Sequence, residues 1–352
     1  MMSASPNDAA DFKLTVLSPG GRDREQYFEH PSEADSPAHP PVNFHAFAAC
    51  TGGSFHRDVK LALADHNPVL LLLRGNFKAT QQVLTKLKEE KRTVAVSLKE
   101  TGLHQIAQQL SDRSRVARFI DIVNRADGCI GVTPEAAELF RIVRPKSDAE
   151  KTVFIPTPYP LEDRQWNMSI LPDQQSGIFI GTREWNVPSR NHAAALLLAR
   201  QLCEQTGEPV TVFNFDGRKG RSLLGELKFP ENKLRVLEEK KSYADYVREI
   251  AKHKLVLQLD RSRVPGQVAG DVLLARTLCV GGDGTIERIA FANFCGHGRT
   301  FEQLATIAEK LLEDTQARAT AIVETQWRAM ERLSFSATLK QLEIFYSRIA
   351  RK

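Results

Sequence analysis

Short apolar runs alternate with amphipathic helix patterns along most of this chain, and the series is played through twice. In the first series Val69–Leu73 is an unbroken apolar run, and residues 80–90 place Val83, Leu84 and Leu87 at helical spacing. Residues 13–17, 93–97 and 128–132 read as further strands, while 103–110 and 116–123 read as helices. The second helix sets Val116, Phe119, Ile120 and Val123 on one face. Thr133-Pro134-Glu135 then opens another helix with a cap, a first-turn proline and an acid in register. The rhythm stops at residues 152–163, where Pro156, Pro158 and Pro160 occupy alternate positions and impose a stiff, extended crossing. It then restarts, with strands at 177–181, 210–215, 234–237, 254–259 and 278–281. Helices lie between these strands, and the chain is mostly helical from residue 301 onward. Two such series predict two doubly wound, mainly parallel sheets. The expected division is residues 1–155, residues 164–335, and a final helix over 336–352 crossing back to the first domain. Such sheets bind ligands beyond the carboxyl ends of their strands, so two that face each other make a cleft.

Bulk properties narrow the function classes. A length of 352 residues, with 42% hydrophobic and 26% charged residues, suits two soluble cores. No apolar run approaches the roughly 20 residues of a membrane span, and no charged-then-apolar leader opens the chain. The expectation is a cytoplasmic protein. Its five cysteines are far apart and lack C-x-x-C spacing, so they read as small buried hydrophobes and not as a disulfide or zinc framework. The net charge of +5 suits a diphosphate site, a polyanion or peripheral contact with an anionic membrane, and does not choose among them. Basic and aromatic residues are not interleaved as on a nucleic-acid platform, so no nucleic-acid partner is expected.

The second half resembles the retaining GT-B glycosyltransferases that use nucleotide-sugar donors, of the family-four-like kind. Gly177-Ile178-Phe179-Ile180-Gly181-Thr182-Arg183, followed by Arg190-Asn191 and a long helix, is similar to the family's strand, glycine, basic residue and later Lys/Arg-Asn. Phe213-Asn214-Phe215-Asp216-Gly217 stands where the family has its second strand and glycine turn. Residues 244–260 and 266–280 resemble the family's strand into the donor site and its carboxylate-bearing helix. In the first half, Ala126 to Thr133 looks like the last strand before the linker, and Phe154-Ile155-Pro156 like the linker. The resemblance implies a GT-B fold of two facing Rossmann-like domains and transfer of a sugar to an acceptor. That acceptor is a glycan, a lipid-linked molecule or a small molecule. A nucleotide-diphosphate sugar is the substrate, and neither a cofactor nor a metal is expected.

The resemblance also implies roles for particular residues. Arg183 and Arg190 would grip the donor diphosphate, a role that suits fixed cations beside a helix N-terminus; the alternative is two surface arginines at a strand–helix turn. Asp271 stands where the family has a ribose-binding glutamate, and otherwise favours the helix dipole. Gly266 and Gln267 fall in the donor loop, where Val264-Pro265-Gly266 presents backbone N–H groups. Arg263 replaces a family glutamate, and either binds phosphate or belongs to an exposed basic loop. Gly20 and Gly21 would let the first-domain backbone approach the donor, or simply form a turn. Glu100, in a loop lacking the family's histidine, would orient an acceptor hydroxyl or be an ordinary charged loop residue. These departures keep two alternatives open: a non-catalytic sugar-nucleotide or glycan-binding protein, and a GT-B sugar-nucleotide epimerase.

Overall fold

The computed structural model describes residues 12–29, 34–181 and 185–350. The first sheet contains β1 (Thr15–Leu17), β2 (Gln26–Tyr27), β3 (Ser54–His56), β4 (Val69–Leu73), β5 (Val94–Leu98), β6 (Gly128–Gly131) and β7 (Thr152–Phe154). Their spatial order is β2-β3-β1-β4-β5-β6-β7, parallel except for the short edge strand β2. The second sheet contains β8 (Ile178–Ile180), β9 (Val210–Phe213), β10 (Leu234–Leu237), β11 (Leu255–Gln258) and β12 (Leu278–Gly281), in the all-parallel order β10-β9-β8-β11-β12.

Both central strands of the alternation are buried on both faces. Every residue of β4 and of β5 is enclosed, which is why these runs lack the polar alternation of a half-exposed strand. Helices leave on schedule where the sequence supplies a stop or a cap. Thr133 accepts the Ala136 N–H at the start of Pro134–Val143, and Ser242 accepts the Asp245 N–H at the start of Tyr243–Ala251. Gly207 closes His192–Thr206 in the left-handed region.

The final helix, Phe335–Ala350, sends Leu342, Phe345, Tyr346 and Ile349 into the core of the first sheet, and Tyr346 donates to the Val69 carbonyl at 3.1 Å. The linker carries Tyr159, whose fully buried ring lies against the Cα of Gly270 and whose hydroxyl donates to the Gln267 carbonyl at 3.3 Å. A methyl group built on Gly270 would overlap that ring. Gly270→Ala should therefore lose about 1–3 kcal/mol of stability, as overpacked cores do. Denaturant melts that place the variant within about 0.5 kcal/mol of the parent would refute this packing.

The sheet order fixes where a ligand can sit. From β8 the chain moves outward to β9 on one side, whereas β11 lies on the other. The crossover point therefore falls between the carboxyl ends of β8 and β11, where open α/β sheets hold their ligands.

Candidate active site at the second-domain crossover

The loops leaving β8 and β11 meet at that point. After β8, residues Pro188–Arg190 form a single tight turn, and Asn191, in the left-handed region, caps the helix His192–Thr206. Arg190 thus precedes the helix by two residues, with the cap Asn191 between, and does not begin it. Its direction comes from an ion pair: Nη1 donates to Asp260 Oδ2, on the loop after β11. Asp260 is only 4% exposed, and its Oδ1 accepts the Ser262 N–H at 2.7 Å and the Ser262 hydroxyl. Asn191 Nδ2 also donates to the Leu259 carbonyl at 2.9 Å, and Arg261 N–H to the Ser189 carbonyl at 2.8 Å. These bonds lace the two loops into one surface. Arg183 lies outside the described residues.

Gly266 caps the helix Gln267–Ala275 with φ at +93°, a conformation glycine adopts freely and side chains rarely do. The turn before it is braced from behind by the loop after β12. Asp283 N–H donates to the Asp260 carbonyl at 2.8 Å, Thr285 N–H to Val264 at 2.9 Å, and Ile286 N–H to Pro265 at 3.1 Å. Inside this brace lies Glu287, 1% exposed, with Oε1 accepting from Gln258 Nε2 at 2.6 Å. Burial pushes its carboxyl up to about 8, against a lowering by its own backbone N–H, with Asp260 and Asp283 adding to the rise and Arg190 opposing it.

The first domain closes against this surface. Leu103 N–H donates to the Ser262 carbonyl at 3.1 Å, and Asn43 Nδ2 to Gln267 Oε1 at 3.2 Å. Arg288 Nη1 reaches Glu135 Oε1, in the first turn of Pro134–Val143, at 2.9 Å, while its Nε donates to Asp283 at 2.6 Å. Arg263 joins the same network, 3.6 Å from Glu135 and 3.7 Å from Asp283. Farther along, Arg248 holds Asp35 of the first domain through two bonds of 2.7 Å, beside a cavity of about 480 Å³ lined by Pro37, Pro40, Trp166 and Tyr243.

Several expected site residues therefore meet, and others do not. Arg190, Gly266 and Gln267 share the crossover surface. Arg263, read as either a phosphate ligand or part of an exposed basic loop, is adjacent, and its half-exposed guanidinium lies 3.6 Å from Glu135 and 3.7 Å from Asp283. Asp271 is fully buried on the second turn of its helix, where Oδ1 accepts the Tyr243 hydroxyl at 2.5 Å; so placed, it presents no surface to a ribose. Gly20 (φ +68°) and Gly21 turn back after β1, and Gly21 N–H donates to Ser18 at 3.0 Å. The loop then runs to Asp23, which pairs with Lys99 at 2.8 Å. Glu100 follows β5, 3.9 Å from Arg74, on the loop that reaches Ser262. Sequence reasoning missed Glu287, Asp283, Arg288 and Glu135 as site residues. The run Gly281-Gly282-Asp283-Gly284, which ends a strand and leads out of it, was the available signal. Among the described residues no group of three His, Cys, Asp or Glu side chains is placed to hold a metal ion, and no helix is long and apolar enough to cross a membrane.

No family model and no curated protein matches the sequence. Solved structures do resemble the fold. An α,α-trehalose-6-phosphate synthase from Burkholderia multivorans superposes with a TM-score of 0.63 at 8% identity, covering 96% of this chain and 99% of that one. A glycosyltransferase from Rickettsia africae gives 0.56 at 10% identity, covering 84% and 80%. The chain has the GT-B fold. An Escherichia coli trehalose-6-phosphate protein bound with UDP-2-fluoro glucose gives 0.59 at 12% identity, covering 81% of this chain and 73% of that one. At such identities the likeness concerns the GT-B architecture, and chemistry has to be argued from this chain's own residues.

Proposed function

We propose that this chain is a nucleotide-sugar glycosyltransferase that holds a diphosphate-linked donor at the second-domain crossover. The observation that carries this reading is Arg190, fixed by a buried carboxylate at the junction of the β8 and β11 loops, two residues ahead of a long helix. A diphosphate needs fixed cations and backbone N–H groups to replace its water, and this place offers both. Two solved relatives of the fold support the reading: one is bound with UDP-2-fluoro glucose, and the Burkholderia protein is a sugar-phosphate synthase.

The chemistry follows from the charge that develops when the sugar leaves. Negative charge builds on the departing diphosphate oxygen, and donors already aimed at it stabilise the transition state more than the ground state. Arg190 supplies one such donor, and the backbone around Val264–Gly266 supplies others. From the first domain, Gly20 and Gly21 would approach the donor and Glu100 would orient an acceptor hydroxyl. Retention at the anomeric carbon and independence from a metal belong to the same proposal. A binding protein without turnover is the second reading. It is favoured by Arg263, held against Glu135 and Asp283 where the family has a glutamate.

Incubation with a panel of sugar nucleotides, followed by assay of free nucleotide, separates the readings. Slow nucleotide release supports the transferase, conversion of the sugar without release an epimerase, and binding alone the second reading. Release should also survive a strong chelator, because arginine and backbone donors do the work of a cation here. Loss of turnover on chelation, restored by magnesium or manganese, would overturn the metal-independent mechanism.

A further inference from the structure

Glu287 has no part in the expected machinery, yet its surroundings are unusually specific. Three glycines from two loops wall in its carboxyl. A methyl group on Gly266 would overlap Oε2, one on Gly284 would lie 2.5 Å from Oε2, and one on Gly282 would lie 2.8 Å from Oε1. Oε1 takes the Gln258 amide, but Oε2 is buried and has no hydrogen-bond partner. A carboxylate left in that state costs several kcal/mol, whereas a neutral acid of the same shape fits at far lower cost.

We propose that Glu287 is a positioning residue: its carboxyl, as the neutral acid, packs against the turn Val264–Gly266 from behind and fixes the direction of the backbone N–H groups that open the helix Gln267–Ala275. The role toward a diphosphate rests on the function proposed above; the support of the turn does not. The groups around the carboxyl make ionisation costly. Asp260 faces it from the β11 loop and Asp283 from its own loop, and both add to the burial that disfavours a charge there, while Cys279 lies beside Gln258; the backbone N–H of Glu287 and, more weakly, Arg190 oppose them without cancelling the rise. Its value near 8 places the change just above neutral pH. When the proton leaves, a second negative charge appears behind Asp260, the turn loosens, and an anion in front of it is repelled.

The sign in stability is definite. A carboxyl bound to its proton more tightly when folded, with a value raised from 4.5 to about 8, stabilises the fold below 4.5. That contribution is lost as the pH rises toward 8, and no further loss follows above it. Glu287→Gln keeps the shape and the neutral state at every pH. Its melting temperature should therefore rise relative to the parent between pH 5 and pH 8, and the difference should then level off.

The direct test is hydrogen exchange at Val264, Gly266 and Gln267 in the ligand-free protein, normalised to intrinsic rates. At pH 9 the ionised form outnumbers the neutral one about tenfold, and the parent should exchange these amides several-fold faster than Glu287→Gln. At pH 6 the two should agree. Equal exchange at both pH values, or parallel melting curves from pH 5 to 9, overturns the proposal. Binding of inorganic pyrophosphate and of UDP is measured in parallel, and both should weaken above pH 8 in the parent only. If the exchange and melting differences appear but neither probe binds at any pH, the support of the turn stands and the diphosphate reading falls.

Discussion

Replacing Arg190 with alanine is expected to lower nucleotide release from the favoured sugar nucleotide by about a hundredfold, the scale seen when one preorganised charge donor is removed. Donor affinity should fall at least tenfold, since a desolvated pair with a diphosphate contributes about 2–5 kcal/mol. The structure adds a complication that a sequence argument would miss. Arg190 also neutralises Asp260, whose side chain is 6% exposed. Its removal strands a buried carboxylate, and breaking such a pair destabilises proteins by about 3–5 kcal/mol. Lost activity alone could then mean a loosened loop. The double variant Arg190→Ala/Asp260→Asn separates the two, because the neutral amide needs no counter-ion and can still accept from Ser262. Stability should return while activity stays low. If activity returns with stability, Arg190 holds the loop and does not act on the donor. Turnover and affinity within twofold of the parent in Arg190→Ala would reject the site.

The strands with continuous apolar character were legible because burial on both faces leaves a one-dimensional signature. Val69–Leu73 and Leu255–Gln258 were placed from pattern alone. The segment between residues 41 and 68 was not. Here β3 and the helices Phe44–Ala49 and Val59–Ala64 bury Ser54, His56 and His45, residues whose type argues for exposure. They are tolerated because partners exist: Asp65 accepts from Ser54, from His56 at 2.8 Å and from Thr15 at 3.0 Å. No local pattern announces a polar network assembled from three separate segments. The site was legible to the same degree. Gly266 and Arg190 sit at element ends, which sequence can locate. Glu287 lies in a cradle built from two loops and was invisible, and Arg263 was seen as a position but not with its partner, since Glu135 reaches it from the other domain. Asp271 was read from its place on a helix, but a position along a helix does not tell which neighbour a side chain meets, and here it meets Tyr243.

Glu135→Arg should open the cleft. Glu135 is the first domain's share of the network that includes Arg288, Arg263 and Asp283, and its side chain is 18% exposed. It also sits in the first turn of Pro134–Val143, where the helix dipole favours a carboxylate and opposes a cation. The substitution sets a third guanidinium against Arg263 and Arg288, with Asp283 left as the nearest anion and His297 already 3.0 Å from it. Like charges brought together at an interface cost several kcal/mol, and around the cleft they act against only the contacts near Leu103 and Asn43 and the Arg248–Asp35 pair, while the final helix stays packed on the first sheet as the hinge side. The radius of gyration in solution scattering should rise, and turnover should fall by about a hundredfold, because reacting groups held on two domains lose their alignment. The companion exchange decides the cause. Glu135→Arg/Arg288→Glu restores one cross-domain pair with its polarity reversed, and it should recover the compact form and most of the activity. High salt should mimic the single variant in the parent protein, since at 1 M the screening length shrinks to about 3 Å. If Glu135→Arg stays compact and active, the network does not hold the domains together. If the double variant is as impaired as the single one, Glu135 matters for a reason other than its charge on Arg288.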